Sequence, residues 1–107
     1  MPTYQTAAFD ALGDASRRSI FELLGTGPRS VAQIAEAVPI SRPAVSQHLK
    51  VLKESGLVTS QAAGTRRIYR IDAEGVRAVR DYFDHFWTDA LASFARVADT
   101  LEDEHDH

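Results

Sequence analysis

Apolar residues recur at steps of three and four through the first half of the chain, alternate briefly past its middle, and return to three and four over a long final stretch. Tyr4, Ala7, Ala8, Phe9 and Leu12 have near-helical spacing, and Gly13 interrupts them before Asp14, a residue suited to cap a second helix. That helix, about Ala15 to Leu24, directs Ile20, Leu23 and Leu24 inward, and the run Gly25-Thr26-Gly27-Pro28 ends it. Ser30 opens a third helix with Gln33 at capping-box spacing. Val31, Ile34, Ala35 and Val38 then make one inward stripe about two turns long, which Pro39 stops. Ser41 caps a fourth helix with Pro43 in its first turn, where a missing N–H costs nothing; it runs to about Ser55, and Gly56 supplies the left-handed residue that ends it.

Two β-prone runs follow, Leu57 to Ala62 and Arg66 to Ile71, joined by a hairpin turn at Ala63-Gly64-Thr65. After Asp72, a helix cap, a single helix is predicted from Ala73 to about Leu101. Its stripe is Val76, Val79, Phe83, Phe86, Ala90, Phe94, Val97 and Leu101, widened by Trp87 and Leu91. That face is too long for a small core to cover, so it predicts a second copy of the chain against it. The polar tail Glu102 to His107 is expected to fray. The fold class expected is mainly α with a small β-hairpin: four helices, two strands and a fifth helix, the plan of a winged helix-turn-helix. One domain over residues 1–107 accommodates all of it.

Charge changes this picture more than composition does. The chain has 107 residues, 44% of them hydrophobic, and a net charge of −3, which is unpromising for a partner of nucleic acid until its distribution is read. Residues 42–70 carry Arg42, Lys50, Lys53, Arg66, Arg67 and Arg70 against Glu54 alone, whereas ten carboxylates face three arginines from Ile71 onward. A basic middle between acidic ends fits a localised phosphate-facing surface. Cysteine is absent, which removes disulfides, thiolate metal sites and thiol switches. No apolar run approaches the roughly 18 residues of a membrane span, and residues 1–10 lack the pattern of a signal peptide, so a cytoplasmic protein is expected with no membrane partner. No phosphate loop, apolar carboxylate pair or activated nucleophile points to an enzyme, and no cofactor is expected.

On the fourth helix Val45, Leu49 and Leu52 form the anchored side, with Pro43, Ser46, Gln47 and Lys50 roughly opposite. Gln47 suits an adenine edge, Ser46 a base or phosphate, and Lys50 a guanine or phosphate, while Arg66 and Arg67 follow the hairpin turn where backbone or minor groove would lie. The stretches Phe9 to Arg18, Ser41 to Val58 and Gly64 to Ile71 resemble the ArsR/SmtB family of bacterial repressors, and the likeness runs through almost the whole chain. The resemblance implies a homodimer built from the first and last helices, with Tyr4, Phe9, Phe83, Phe86, Trp87 and Phe94 at the interface. It also implies a recognition helix at Ser41 to Ser55, a wing at Leu57 to Ile71, and repression through double-stranded operator DNA, often of the repressor's own operon. DNA contacts are then expected from Ser41, Arg42, Pro43, Ser46, Gln47, Lys50, Arg66 and Arg67, on a palindromic site matching a two-fold dimer.

Family members that sense metals use a Cys-x-Cys pair, which this chain lacks, or His and carboxylate ligands on the last helix. Asp81, His85 and Asp89 share a face at i, i+4 and i+8, an acceptable but weak metal set, because Arg96 and Asp99 stand where a second ligand histidine would be expected. Glu102, Glu104, His105 and His107 could grip an ion only loosely. His48 is read as a partly packed side chain. Trp87 with Phe83, Phe86 and Phe94 could instead line an apolar ligand pocket between subunits. A winged-helix protein-interaction module without DNA binding is the other class of function compatible with the fold.

Overall fold

A computed structural model describes the backbone of residues 3–105 and the side chains of residues 7–101. The elements are α1 (Thr3–Leu12), α2 (Ala15–Leu24), β1 (Arg29–Ser30), α3 (Val31–Ala37), α4 (Arg42–Glu54), β2 (Val58–Ala63), β3 (Arg66–Ile71) and α5 (Ala73–His105).

Local chemistry accounts for most boundaries. Asp14 caps α2 by accepting the Arg17 N–H at 3.0 Å. At α3, Ser30 accepts from the Gln33 N–H while the Gln33 amide oxygen takes the Ser30 N–H at 2.9 Å, a complete capping box. Ser41 caps α4 through the Ala44 N–H, with Pro43 in the first turn. At its other end Gly56 has φ +81°, its N–H reaching the Lys53 carbonyl and the Leu57 N–H the Leu52 carbonyl, the paired bonds of a Schellman motif.

The hairpin pairs Ala63 with Arg66, so the turn is two residues, Gly64-Thr65. Gly64 alone there has positive φ, +64°, as a two-residue hairpin turn of the II′ kind requires at its first central position. A third strand departs from the sequence expectation: β1 pairs antiparallel with β3 through Arg29↔Tyr69 and Ser30↔Ile68, giving the sheet order β1-β3-β2. Two residues are too short for any periodicity, and β1 exists because the outer edge of β3 offers it unpaired backbone groups. The last helix runs on to His105, past the fraying expected from Glu102, since nothing in Glu102-Asp103-Glu104 breaks a helix.

Ile20, Ile34, Val45, Leu49, Leu52 and Leu57 fill the core with essentially no exposure, and Ala8, Ala11, Leu24 and Val58 complete it. Leu23, expected inside, is half-buried at its margin. Truncating a residue such as Leu49 to alanine costs about 2–5 kcal/mol, a large part of the roughly 5–15 kcal/mol that holds a small domain folded. The face of α4 bearing Val45, Leu49 and Leu52 is therefore anchored firmly, and the opposite face is held out to solvent.

Helix α5 begins at a tight junction. Asp72 donates its N–H to the Leu57 carbonyl at 2.9 Å and accepts the Glu74 and Gly75 N–H groups on its carboxylate. A Cβ at Gly75 would fall on the Gly56 carbonyl, so only glycine fits there. Val76 and Val79 still pack on the core, and beyond them the helix leaves it. Thirty-three residues of helix extend about 50 Å. The radius of gyration is accordingly 19.4 Å, against about 13 Å for a compact chain of this size.

Candidate nucleic-acid interface

On α4 the anchored and presented faces separate as the spacing predicts. Val45, Leu49 and Leu52 are buried; Arg42, Pro43, Ser46, Gln47 and Lys50 are exposed. Ser41 is exposed as well, but its hydroxyl is occupied as the cap, accepting the Ala44 N–H at 3.3 Å. Thirteen residues give a rod about 20 Å long, and an α-helix of ordinary diameter enters a B-DNA major groove about 12 Å wide. His48 turns the other way: it is half-buried, and its Nδ1 is sealed from solvent with no hydrogen-bond partner. Its neighbour across the packing is the α2 cap. The Asp14 carboxyl is held below the usual aspartate range first by the Arg17 N–H bond, against a smaller opposing effect of burial, with help from the Arg17 and His48 charges.

Strand alternation divides the two wing arginines. The β2–β3 register puts Ser60, Ala62, Arg67 and Tyr69 on one face of the hairpin and Gln61, Ala63, Arg66 and Ile68 on the other. Arg67 faces the C-terminal end of α4, where it and Lys53 both donate to the Ser60 hydroxyl oxygen, each at 3.1 Å. Thr65, Arg66 and Arg67 all border a shallow groove of about 210 Å³ that also touches Ser30, Val31 and Ala32 at the start of α3. On Arg66's face, Arg70 donates to the Gln61 amide oxygen at 3.2 Å. Lys53 belongs to the basic middle of the chain but was not among the residues expected to contact DNA. Its signal was present in the spacing, because Ser46, Lys50 and Lys53 stand at i, i+4 and i+7 and form one row along the helix.

Arg17 and Arg18, also cationic, are spent elsewhere. Arg17 Nε donates to the Ala11 carbonyl at 2.8 Å and Arg18 to those of Leu12 and Gly13, so both satisfy the C-terminal end of α1.

Aromatic residues of α1 and α5 gather into one exposed patch. Phe9 of α1 packs on Tyr82 and Phe83 at ring separations of 5.7 and 6.4 Å, and Phe83, Phe86 and Trp87 contact one another at 5.6–6.5 Å. Phe86 remains 53% exposed and Phe94, two turns further on, 72%, with Leu91, Val97 and Leu101 continuing the stripe. The Tyr4 side chain lies outside the described residues. Among the described residues no group of three metal-ligating side chains converges, and His85 Nδ1 is 2.8 Å from the Asp81 backbone carbonyl. Glu102, Glu104, His105 and His107 lie outside the described side chains.

A helix-turn-helix domain model matches residues 12–61. The chain is 48% identical over 106 residues to the HTH-type transcriptional regulator Rv2034 of Mycobacterium tuberculosis, covering 97% of this chain and 99% of that protein. To the HTH-type transcriptional repressor SmtB of the same species it is 35% identical over 82 residues, 76% of this chain and 61% of the other. Among solved structures it superposes with a TM-score of 0.65 and 33% identity on Mb0332 of Mycobacterium bovis, a homodimeric winged helix-turn-helix DNA-binding domain and possible ArsR-family regulator, over 81% of this chain and 78% of that one. With the helix-turn-helix, the wing and the long closing helix all in place, the chain belongs to the ArsR/SmtB family of winged helix-turn-helix transcriptional regulators.

Proposed function

We propose that the protein is a homodimeric, cytoplasmic repressor that binds a palindromic operator, that of its own operon foremost, through α4 and the β2–β3 wing. The observation that carries this reading is the shared exposure of Ser46, Gln47, Lys50, Lys53, Arg66 and Arg67 around one rigidly anchored helix, in a chain that is acidic elsewhere. Short polar groups on α4 suit base edges and the wing cations suit phosphates. Repression is suggested by the similarity to SmtB, and dimerisation by the uncovered aromatic stripe together with the homodimeric relative. Two α4 helices related by a two-fold axis would read half-sites about one helical turn or a multiple apart.

A gel-shift titration with promoter DNA of its own operon tests the reading, alongside sedimentation analysis of the free protein. A two-fold-symmetric footprint and a dimer are expected. A winged helix that docks only on protein would give no shift with any duplex. No helix among the described residues is long and apolar enough to cross a membrane.

A further inference from the structure

We propose that Lys53, Ser60 and Arg67 form a single composite site for one backbone phosphate of duplex DNA, with Ser60 as the positioning residue that holds the two cations together. The inference rests on the DNA-binding reading and goes beyond it by assigning one phosphate to groups from two elements. Lys53 Nζ and an Arg67 terminal nitrogen each lie 3.1 Å from the same hydroxyl oxygen, so the cations are at most about twice that distance apart. Among the described residues neither has a carboxylate partner, and Ser60 is the one side chain that either bonds.

A serine hydroxyl has two lone pairs and one proton. With both lone pairs engaged, its remaining capacity is the O–H donor. The unused capacity of Lys53 and Arg67 is likewise all N–H. The cluster therefore presents donors and no acceptor, with two positive charges whose mutual repulsion an anion between them relieves. A phosphodiester oxygen pair fits that demand in both acceptors and charge, whereas guanine N7 and O6, the base edge that offers acceptors alone in the major groove, carry no negative charge to offset two cations. Position agrees with chemistry: Lys53 ends the row begun by Ser46 and Lys50, so a strand flanking the groove occupied by α4 would pass between that helix and the wing.

The test uses Lys53→Gln, Arg67→Gln, the double variant, Ser60→Ala and Ser60→Thr, each titrated with a mixed-sequence DNA duplex across a range of salt. Each single glutamine variant is expected to weaken binding about tenfold, the effect of losing one charge-assisted hydrogen bond. The salt slope of the double variant should fall by about one unit, because two cations that share one phosphate release the counterions of one phosphate. Ser60→Ala should weaken binding several-fold with an unchanged thermal midpoint, and Ser60→Thr, which keeps the hydroxyl, should restore it. A fall of about two units in the double variant overturns the shared site, as does wild-type affinity in Ser60→Ala, and in both cases the DNA-binding reading stands. Wild-type protein that fails to bind the duplex at low salt overturns that reading and this one together. Replacing chloride by inorganic phosphate at matched ionic strength should leave wild-type affinity unchanged. Specific competition by phosphate that the double variant escapes would make this a site for the free anion and overturn its assignment to the duplex.

Discussion

Gly75 shows how a single residue can carry a constraint invisible to periodicity. It sits in the first turn of α5, where any Cβ meets the Gly56 carbonyl. Gly75→Ala should therefore cost about 1–3 kcal/mol, or roughly 5–20 °C in Tm by thermal denaturation, although alanine is the better helix former. Asp14 makes a second residue-scale prediction, through pH. Its folded-state carboxyl titrates below the ordinary aspartate value, mainly because it accepts the Arg17 N–H. Its contribution to stability is thus present above the unfolded-state value, near pH 4, and is lost as pH falls through the lowered folded value. Asp14→Asn keeps a capping oxygen without the charge, so its unfolding free energy should depend less steeply on pH below about 4 than that of the wild type.

Between elements, the proposed DNA-binding function divides recognition between helix and wing. Gln47 lies on the presented face of α4, where an amide pairing with adenine contributes about 1–3 kcal/mol of discrimination. Gln47→Ala should chiefly narrow the gap between operator and random DNA. Arg67 stands on the wing and points back to the end of α4, so Arg67→Ala should lower affinity for both DNAs alike and leave the ratio between them unchanged. Salt titrations of both variants on both duplexes measure slopes and specificity ratios together; exchanged outcomes would reverse the assignment. The junction at Gly56, Leu57, Asp72 and Gly75 ties the start of α5 to the end of α4, so the orientation of α4 is mechanically linked to the helix that bears the aromatic stripe.

At the scale of the molecule, most of α5 has no core to bury against. Phe83, Phe86, Trp87, Leu91, Phe94, Val97 and Leu101 are each 44–72% exposed, along a helix that gives the molecule an extent of 73 Å. In the proposed function, covering them with a second copy would bring two α4 helices to one duplex. Phe86→Glu should shift sedimentation from dimer to monomer and weaken operator binding in parallel, since a single half-site contributes only part of the affinity. Because the chain has no cysteine, micromolar arsenite should leave the operator complex intact in a gel-shift assay.

Residues that act on their immediate neighbours were legible from the amino-acid order. Asp14, Ser30, Ser41 and Gly56 set helix ends through bonds spanning a few positions, and the inward stripes at Ile34, Val45, Leu49 and Leu52 follow from periodicity alone. The presented face of α4 was legible for the same reason: once one side of a helix is anchored, the opposite side is known. Tertiary structure decided what depends on partners distant along the chain. β1 forms because β3 offers it an edge, and Gly75 must be glycine because Gly56 arrives beside it from nineteen positions earlier. Arg66 and Arg67 read as one pair in sequence, yet alternation against β2 sends them to opposite faces, and only the fold brings Arg67, Ser60 and Lys53 together. The physical reason is range: caps, turns and periodicity are short-range chemistry written in consecutive residues, while a cluster drawn from a helix and two strands exists only once the chain has closed on itself.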